Sequence, residues 1–235
     1  MTQADVRALL SALGAIIADD HIVYTSGRHG SVYVNKDFLY PHTHVLTRLC
    51  NAMAERWIKT LAWSGMSYSV DVVVAPAVGG VILSTWIAHS LSLLTARQVL
   101  GVYAEKHAVA VPDPENLCRA CFTQTGEFVL NRGYDRLVAN RDVLVVEDVL
   151  TTGGSVRKVV EAVRQCGGRV VGVSVLCNRG NVTAHDVGDV PHLHSLVNFS
   201  LESWPEEECP LCASGVPINT TVGKGAEFLA RHKQP

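Results

Sequence analysis

Glu147 and Asp148 are adjacent carboxylates between an apolar run, Val143 to Val146, and the hydroxyl-glycine stretch TTGGS at 151–155. Glycines let a backbone approach an anion closely, and the N–H groups at a helix start, with the positive end of the dipole, favour phosphate. Carboxylates repel a bare phosphate, so sugar hydroxyls or Mg²⁺ are their natural partners. A plain helix cap needs only one carboxylate, and the lysine of a nucleotide-hydrolysing loop is missing. The spacing therefore predicts a site for a phosphorylated sugar.

The segments around this stretch predict how it is held in place. Val143 to Val146 has the unbroken β-branched character of a strand buried on both faces of a parallel sheet, and Val156 to Cys166 has helical periodicity. A second strand, turn and helix run through Val72–Ala75, Pro76–Gly80 and Val81–Leu94. We therefore predict an α/β fold, a parallel sheet flanked by helices, with ligands at the carboxyl ends of the strands.

The other segments have weaker patterns. They predict helices over Asp5–Ala18 and Thr43–Ala62, a hairpin over His21–Tyr40, strands over Val99–Glu105, Phe128–Leu137 and Arg169–Cys177, an irregular excursion over Val111–Glu127, and a short helix in the tail. No internal repeat or low-complexity linker interrupts the chain. We predict a single domain over 1–235, with a hood from about 20–40 and 99–134 and a C-terminal tail from about 200.

The composition is that of a folded domain, since hydrophobic residues make up 48% and charged residues 18% of the 235 positions. With 20 basic and 22 acidic residues the net charge is −2, so no general basic field favours nucleic acid or an anionic membrane. The first residues lack the basic start of a signal peptide, and no apolar stretch reaches the ~18 residues of a spanning helix. We expect a cytoplasmic protein with neither nucleic acid nor membrane as partner.

The stretch 143–155 resembles the ribose-phosphate loop of the type I phosphoribosyltransferases, which bind phosphoribosyl pyrophosphate (PRPP). The resemblance implies that the two acids hold the ribose hydroxyls, that the loop holds the 5′-phosphate, and that Mg²⁺ accompanies PRPP. It also implies a catalytic role for Asp148 and a homodimer. The PRPP-binding residues that it implies are Glu147, Asp148, Val149, Leu150, Thr151, Thr152, Gly153, Gly154 and Ser155.

Two further segments resemble parts of the same family. Ala77, Val78, Gly79 and Gly80 resemble its pyrophosphate loop, although the lysine that many orotate enzymes carry there is absent. Without the resemblance, strand-turn-helix packing would explain these glycines equally well. The segment YAEKH at 103–107 resembles the start of the hood loop, which implies a catalytic role for Lys106 and a second hood cation at Arg132.

The base-binding residues follow from the resemblance rather than from the local pattern. Ser26, Gly27 and Arg28 alone read as a hairpin turn with a surface arginine, but TSGRHGSVYVNKD at 25–37 resembles the base-binding region of orotate phosphoribosyltransferases. Arg179 matches the arginine that this family places against the base carboxylate, which a planar guanidinium fits well. Thr151 completes the implied base-binding set.

The resemblance implies transfer of ribose 5-phosphate from PRPP to orotate, giving orotidine 5′-monophosphate and pyrophosphate in pyrimidine nucleotide biosynthesis. The alternatives are another purine or pyrimidine base, or a PRPP-sensing regulator without turnover.

The cysteines include two CxxC pairs, Cys118 with Cys121 and Cys209 with Cys212. Two such pairs can form a tetrahedral zinc site, provided that the excursion and the tail are neighbours. Thiols used in turns or redox chemistry are the alternative. The ten histidines contain no pair spaced to share a helical face in a metal motif, so none is predicted to be a ligand.

Overall fold

The computed structural model describes residues 1–24, 26–64, 69–112, 120–199 and 202–232, without the side chains at 63, 64, 110–112 and 120–122. Within these residues the helices are α1 (Gln3–Ala12), α2 (Thr43–Ser64), α3 (Val81–Thr95), α4 (Tyr134–Val138), α5 (Gly154–Gln165), α6 (Pro210–Ala213) and α7 (Gly225–His232), with 3-10 turns at Lys36–Phe38 and Glu206–Glu208. The described strands are β1 (Ile16–Ile17), β2 (Ile22–Val23), β3 (His29–Gly30), β4 (Tyr33–Val34), β5 (Val72–Pro76), β6 (Leu100–Pro112), β7 (Ala120–Val129), β8 (Asp142–Leu150), β9 (Arg169–Asn178), β10 (Leu193–Asn198) and β11 (Ser203–Trp204).

The chain forms two compact units. The first joins Met1–Leu46 to Phe199–Pro235, and the second is Thr47–Asn198. The second unit contains a six-stranded sheet in the order β10-β9-β8-β5-β6-β7, in which β7 alone among these strands runs antiparallel to its neighbour. This confirms the predicted α/β class with a largely parallel sheet and flanking helices.

The central strands β5, β8 and β9 are buried along almost their whole length. Their valines pack against the apolar face of α5, where Val156, Val159, Val160 and Val163 are buried. A strand covered on both faces needs apolar residues at successive positions, which is why these runs are continuous rather than alternating.

The predictions for the sheet edge were wrong in two places. Strand β6 does not end at Glu105 but continues to Pro112, and it pairs with β7 through Val111 and Cys121. The polar residues suggested an irregular excursion, but an exposed two-stranded ladder tolerates polar side chains because its hydrogen bonds are made by the backbone. The second correction concerns Tyr134–Val138, which forms the helix α4 instead of extending a strand.

The first unit also differs from its predicted pattern. Helix α1 ends at Ala12, and Gly14, with φ at +68°, turns the chain so that β1 pairs with β4. The predicted single hairpin is divided between this ladder and a separate sheet in the order β11-β3-β2. Strand β11 comes from the C-terminal tail. The sheet therefore includes a pairing between β3 and a distant part of the sequence, in addition to the local pairing of β2 with β3.

Among the described residues, no helix combines the length and apolar character that a bilayer crossing requires.

Candidate active site

The two carboxylates lie near the end of β8, just before the loop that leads to α5. Glu147 and Asp148 are 8% and 2% exposed. A carboxylate oxygen of Glu147 accepts a hydrogen bond from the Asp148 N–H at 2.9 Å, and Asp148 Oδ1 accepts one from the Val149 N–H at 2.6 Å. Because neighbouring side chains on a strand point to opposite faces of the sheet, the side chains of Glu147 and Asp148 lie on opposite faces of β8.

A depression of about 110 Å³ lies over the loop, a few times the ~30 Å³ that a water molecule occupies in the liquid. It therefore suits a group as small as a phosphate. Its lining includes Glu147 but not Asp148, so the first acid faces the loop cavity and the second faces elsewhere. The lining residues are Glu147, Val149, Leu150, Thr151, Thr152, Gly153, Gly154, Ser155 and Val156.

Helix α5 begins at Gly154 directly beneath this depression. Its N-cap is Gly153, at φ +77°, which has no side chain to accept hydrogen bonds from the first-turn N–H groups. A Cβ at this position would also lie 2.9 Å from Val187 Cγ1. Glycine therefore permits the turn and leaves the helix N-terminus to an external anion, the arrangement expected for phosphate.

The segment after β9 packs directly on the phosphate loop. Gly180 approaches so closely that a Cβ on it would lie 1.6 Å from the carbonyl oxygen of Thr151. The side chain of the buried Asn178 closes this segment, because its amide donates to the Val182 carbonyl at 2.8 Å and its oxygen accepts from the Val182 N–H at 3.1 Å.

Arg179 lies between Asn178 and Gly180, with its backbone fixed by an N–H bond to the Leu150 carbonyl at 2.8 Å. Its guanidinium donates to the Thr151 hydroxyl at 3.2 Å. The structure thus brings together two of the five predicted base-binding residues beside the phosphate loop.

The predicted pyrophosphate loop lies at the same edge of the sheet, because β5 and β8 are parallel neighbours. The peptide between Ala77 and Val78 is cis, and Val78 is 87% exposed. Gly80 is the N-cap of α3, and a Cβ on it would meet the Ala75 side chain at 2.7 Å. This loop offers backbone groups at a helix start, with Gly80 required by close packing.

Lys106 lies on β6, two residues beyond the last pair between β5 and β6, and its side chain is exposed. The second hood cation, Arg132, forms an ion pair with Glu105 at 3.0 Å. The hydrogen bonds from Arg132 and Asn131 hold the pKa of Glu105 below its ordinary value, Arg132 contributing most, and Glu105 raises the pKa of Arg132.

The other predicted base-binding residues belong to the unit formed by Met1–Leu46 and Phe199–Pro235. Ser26, Gly27 and Arg28 occupy the turn between β2 and β3, with Gly27 at φ +79°. Arg28 donates through Nε to the Ser203 hydroxyl at 3.0 Å and through Nη2 to the Ser203 carbonyl. Thr25, which begins the predicted motif, lies outside the described residues.

The cysteine prediction has a different outcome for each pair. Cys118 and the side chain of Cys121 lie outside the described part of the chain. Cys209 and Cys212 meet His21 and His29 in a compact cluster. Neither histidine has the helical spacing of a metal motif, because His21 directly precedes β2 and His29 lies on β3 of the same hairpin. Their position on either side of a glycine turn was the signal that could have found them.

The site in the second unit collects the predicted phosphate loop, a carboxylate and two further loops at the carboxyl ends of three adjacent strands, β9, β8 and β5. The model of the phosphoribosyl transferase domain matches residues 42–208. The chain belongs to this phosphoribosyltransferase family, as its sequence predicted.

Known relatives extend over nearly the whole chain. The orotate phosphoribosyltransferase of Pelotomaculum thermopropionicum is 36% identical over 217 residues, which cover 92% of this chain and 95% of the relative. That of Caldanaerobacter subterraneus subsp. tengcongensis is 34% identical, covering 86% and 88%. The solved orotate phosphoribosyltransferase of Mycobacterium tuberculosis H37Rv, in complex with Fe(III) dicitrate, has a TM-score of 0.55 at 22% identity over 83% of this chain and 95% of that one. This last likeness supports the fold alone.

Proposed function

We propose that this chain is an orotate phosphoribosyltransferase, which transfers ribose 5-phosphate from PRPP to orotate and releases pyrophosphate. The observation that carries the proposal is the contact between Arg179 and Thr151. A guanidinium, which suits a planar carboxylate, thus contacts the loop that we assign to the ribose phosphate. Relatives that carry this name at 31–36% identity support the same acceptor.

The loop from Val149 to Ser155 binds the 5′-phosphate through the first-turn N–H groups of α5 and the hydroxyls of Thr151, Thr152 and Ser155. Glu147 lines the same depression and accepts hydrogen bonds from the ribose hydroxyls. On the resemblance, Asp148 is assigned a catalytic role in which it orients the ribose, and its nearly buried carboxylate accepts a hydrogen bond from the Val149 N–H.

Carboxylate and hydroxyl oxygens are the donors that Mg²⁺ prefers, so the lining of the depression fits this ion. Glu147 would hold it together with PRPP. When bound, Mg²⁺ would neutralise negative charge on the pyrophosphate.

Transfer from PRPP passes through a positively charged sugar centre, so the protein need supply no nucleophile, and positioning and charge stabilisation dominate. The segment Ala77–Gly80 binds the departing pyrophosphate through backbone N–H groups at the start of α3. Lys106 is the catalytic cation that neutralises the charge developing on this group, and Arg132 assists once it exchanges Glu105 for phosphate.

On the base side, Arg179 binds the carboxylate of orotate, and Ser26, Gly27 and Arg28 complete the base site. In this proposal the hood comprises 20–40 and 99–134. A homodimer, a cytoplasmic location and a role in pyrimidine nucleotide biosynthesis belong to the same proposal, on the pattern of the family.

Pyrophosphate release tests the proposal when the purified protein is incubated with PRPP, Mg²⁺ and, in turn, orotate, uracil, hypoxanthine and adenine. We expect release with orotate alone. Release with a purine alone would contradict the orotate assignment, and PRPP binding without turnover would indicate a regulator instead.

The role of Arg179 has its own test. Arg179→Ala should raise the KM for orotate by about tenfold to a hundredfold, the loss of a hydrogen bond to a charged group, while the Kd for PRPP changes much less. Arg179→Lys keeps the charge but loses the planar fork, so it should recover only part of the loss. An equal loss of orotate and PRPP binding would refute the assignment.

A further inference from the structure

Four metal-binding side chains from distant parts of the sequence meet inside the unit formed by Met1–Leu46 and Phe199–Pro235. The ligand atoms of His21, His29, Cys209 and Cys212 all lie within 4.8 Å of one another. The first three residues are buried, at 1%, 0% and 2% exposure, and Cys212 is half-buried. We propose that these four groups bind one structural Zn²⁺ ion.

Three nitrogen–sulfur separations in the cluster are close to those of a tetrahedral zinc site. Zn–N bonds of ~2.0–2.1 Å and Zn–S bonds of ~2.3 Å place a nitrogen and a sulfur about 3.6 Å apart, and two nitrogens about 3.3 Å apart. His21 Nε2 lies 3.6 Å from both Cys209 Sγ and Cys212 Sγ, and His29 Nδ1 lies 3.3 Å from Cys212 Sγ. The two nitrogens are 2.9 Å apart and must separate slightly when the ion binds, and all four ligand atoms already lie within 4.8 Å of one another.

A hydrogen bond on the side away from the cluster orients the imidazole of His21. Its Nδ1 lies 2.7 Å from the carbonyl oxygen of Val216, so Nδ1 carries the proton and Nε2 presents its lone pair to the cluster. A zinc-binding histidine typically donates its second ring N–H to such an acceptor. His29 is packed edge-on against the Phe228 ring, with centroids 5.0 Å apart, which excludes water from that side.

The local fold explains why two histidines so far from the tail face its cysteines. Strands β2 and β3 pair Val23 with His29, and His21, two residues before Val23, lies on the same face of the hairpin. The tail strand β11 pairs with the other edge of β3, opposite His29 through Trp204, and leads directly into the CPLC segment.

The CPLC segment itself forms a tight turn around its two thiols. Cys209 is the N-cap of α6, and its carbonyl accepts from the Ala213 N–H at 3.1 Å. The Cys212 carbonyl accepts from the Gly215 N–H at 3.0 Å, with Gly215 at φ +66°. Both sulfurs are thereby held towards the histidine pair.

The ligand set selects zinc and a structural role. Two imidazoles and two thiolates in tetrahedral arrangement are typical of Zn²⁺, and four protein ligands leave no open position for a substrate. Two thiolates also cancel the charge of the ion, so no net charge is buried. A redox-active disulfide between Cys209 and Cys212 is the competing use of the same thiols.

The ion would fix the turn at 26–28, because His21 and His29 lie on either side of it and Arg28 contacts Ser203 in the tail. This consequence rests on the proposed function, in which the turn binds the base. Removal of the ion should then raise the KM for orotate while the Kd for PRPP changes little, since the PRPP loop belongs to the other unit.

Elemental analysis of the full chain, purified from zinc-supplemented cells without chelator, should find about one Zn²⁺ per chain, independently of any activity. Replacement by Co²⁺ should give the intense visible absorption of tetrahedral coordination with thiolate charge-transfer bands. A metal-free protein, octahedral Co²⁺, or a Cys209–Cys212 disulfide found by mass spectrometry would overturn the proposal.

Variants separate this site from the rival cysteine pair. The double substitution of Cys209→Ser and Cys212→Ser should lower the zinc content at least about tenfold, whereas the matched substitution of Cys118→Ser and Cys121→Ser should leave it unchanged. His29→Asn should also lose zinc, and His42→Asn, at an exposed histidine, should not. Loss of zinc in the Cys118 and Cys121 variant, or its retention in the other, would refute the ligand set.

If the double variant does not fold, the wild-type protein still decides the question. Stepwise removal of Zn²⁺ by chelator, followed by its return, should lower and then restore the Tm. Zinc stoichiometry without any effect on orotate KM would retain the metal site and contradict only its link to the base.

Discussion

Gly180→Ala is the substitution that tests most directly whether the segment after β9 positions the phosphate loop. The added Cβ would lie 1.6 Å from the Thr151 carbonyl oxygen and 2.7 Å from its carbon, whereas real Cβ contacts are essentially never closer than 3.0 Å. The two backbones must therefore separate by at least 1.4 Å, the difference between these distances. No side chain can move to relieve this clash, so the displacement falls on the loop or on Arg179.

A displacement of this size is large for a catalytic site. Misplacement by about 1 Å can cost about a hundredfold in rate, so we expect kcat/KM for PRPP to fall at least about a hundredfold. Overpacking should also lower the free energy of unfolding by about 1–3 kcal/mol. Pyrophosphate release under initial-rate conditions, PRPP titration calorimetry and urea denaturation measure these three quantities.

Gly167→Ala is the matched control, because Gly167 follows α5 at its far end and a Cβ there meets nothing within 4 Å. Its φ of +77° makes the substitution strained, at a cost of about 1–2 kcal/mol, without touching the loop. The control should therefore lose stability and retain activity. If Gly180→Ala keeps wild-type kcat/KM, or if the two variants lose activity equally, the positioning argument is wrong.

Three further outcomes are expected. Glu147→Gln should reduce kcat/KM for PRPP about tenfold to a hundredfold, through loss of a charged acceptor, and an unchanged Mg²⁺ dependence would count against its role. Lys106→Ala should lower kcat about a hundredfold or more while the Kd for PRPP changes little, as single-turnover measurements would distinguish. Burial, with smaller effects of His192 and Arg56, lowers the pKa of His194. The unfolded chain therefore takes up a proton at this histidine first as the pH falls below about 6.5, so the free energy of unfolding decreases there and is fully retained above that pH. Urea denaturation at several pH values measures the free energy of unfolding. On acidification this energy should decrease less for His194→Gln than for the exposed control His44→Gln.

The sequence predicted the central sheet because local and tertiary requirements agree there. An unbroken apolar run such as Val143 to Val146 can be satisfied by a strand covered on both faces, and the glycines after it require a turn. The turn at 151–155 was predicted from the same residues, and its proposed phosphate-binding groups are backbone N–H groups and hydroxyls that follow the strand directly.

The edge of the sheet could not be predicted in the same way. The ladder between β6 and β7 pairs residues of mixed character, such as Lys106 with Phe128 and Val109 with Thr123, so no clear apolar alternation marks both strands. The segment Tyr134–Val138 is short enough that its apolar residues fit a strand or a helix equally well. In both places the partner, rather than the local sequence, decides the structure.

In the histidine-cysteine cluster, the sequence reveals some of the proposed metal ligands but not which residues complete the set. The CPLC segment has the recognisable spacing of a metal-binding CxxC pair. Because the chain contains a second CxxC pair, the sequence suggests that the two pairs bind one ion together. The true neighbours of Cys209 and Cys212 are fixed by strand register: β11 pairs with β3, and β3 with β2, so only residues on one face of that hairpin can reach the thiols. Histidines at 21 and 29 satisfy this condition because each lies on that face, eight residues apart across a turn. Spacing rules for helices exclude them, whereas a rule for ligands on paired strands would select them from the sequence.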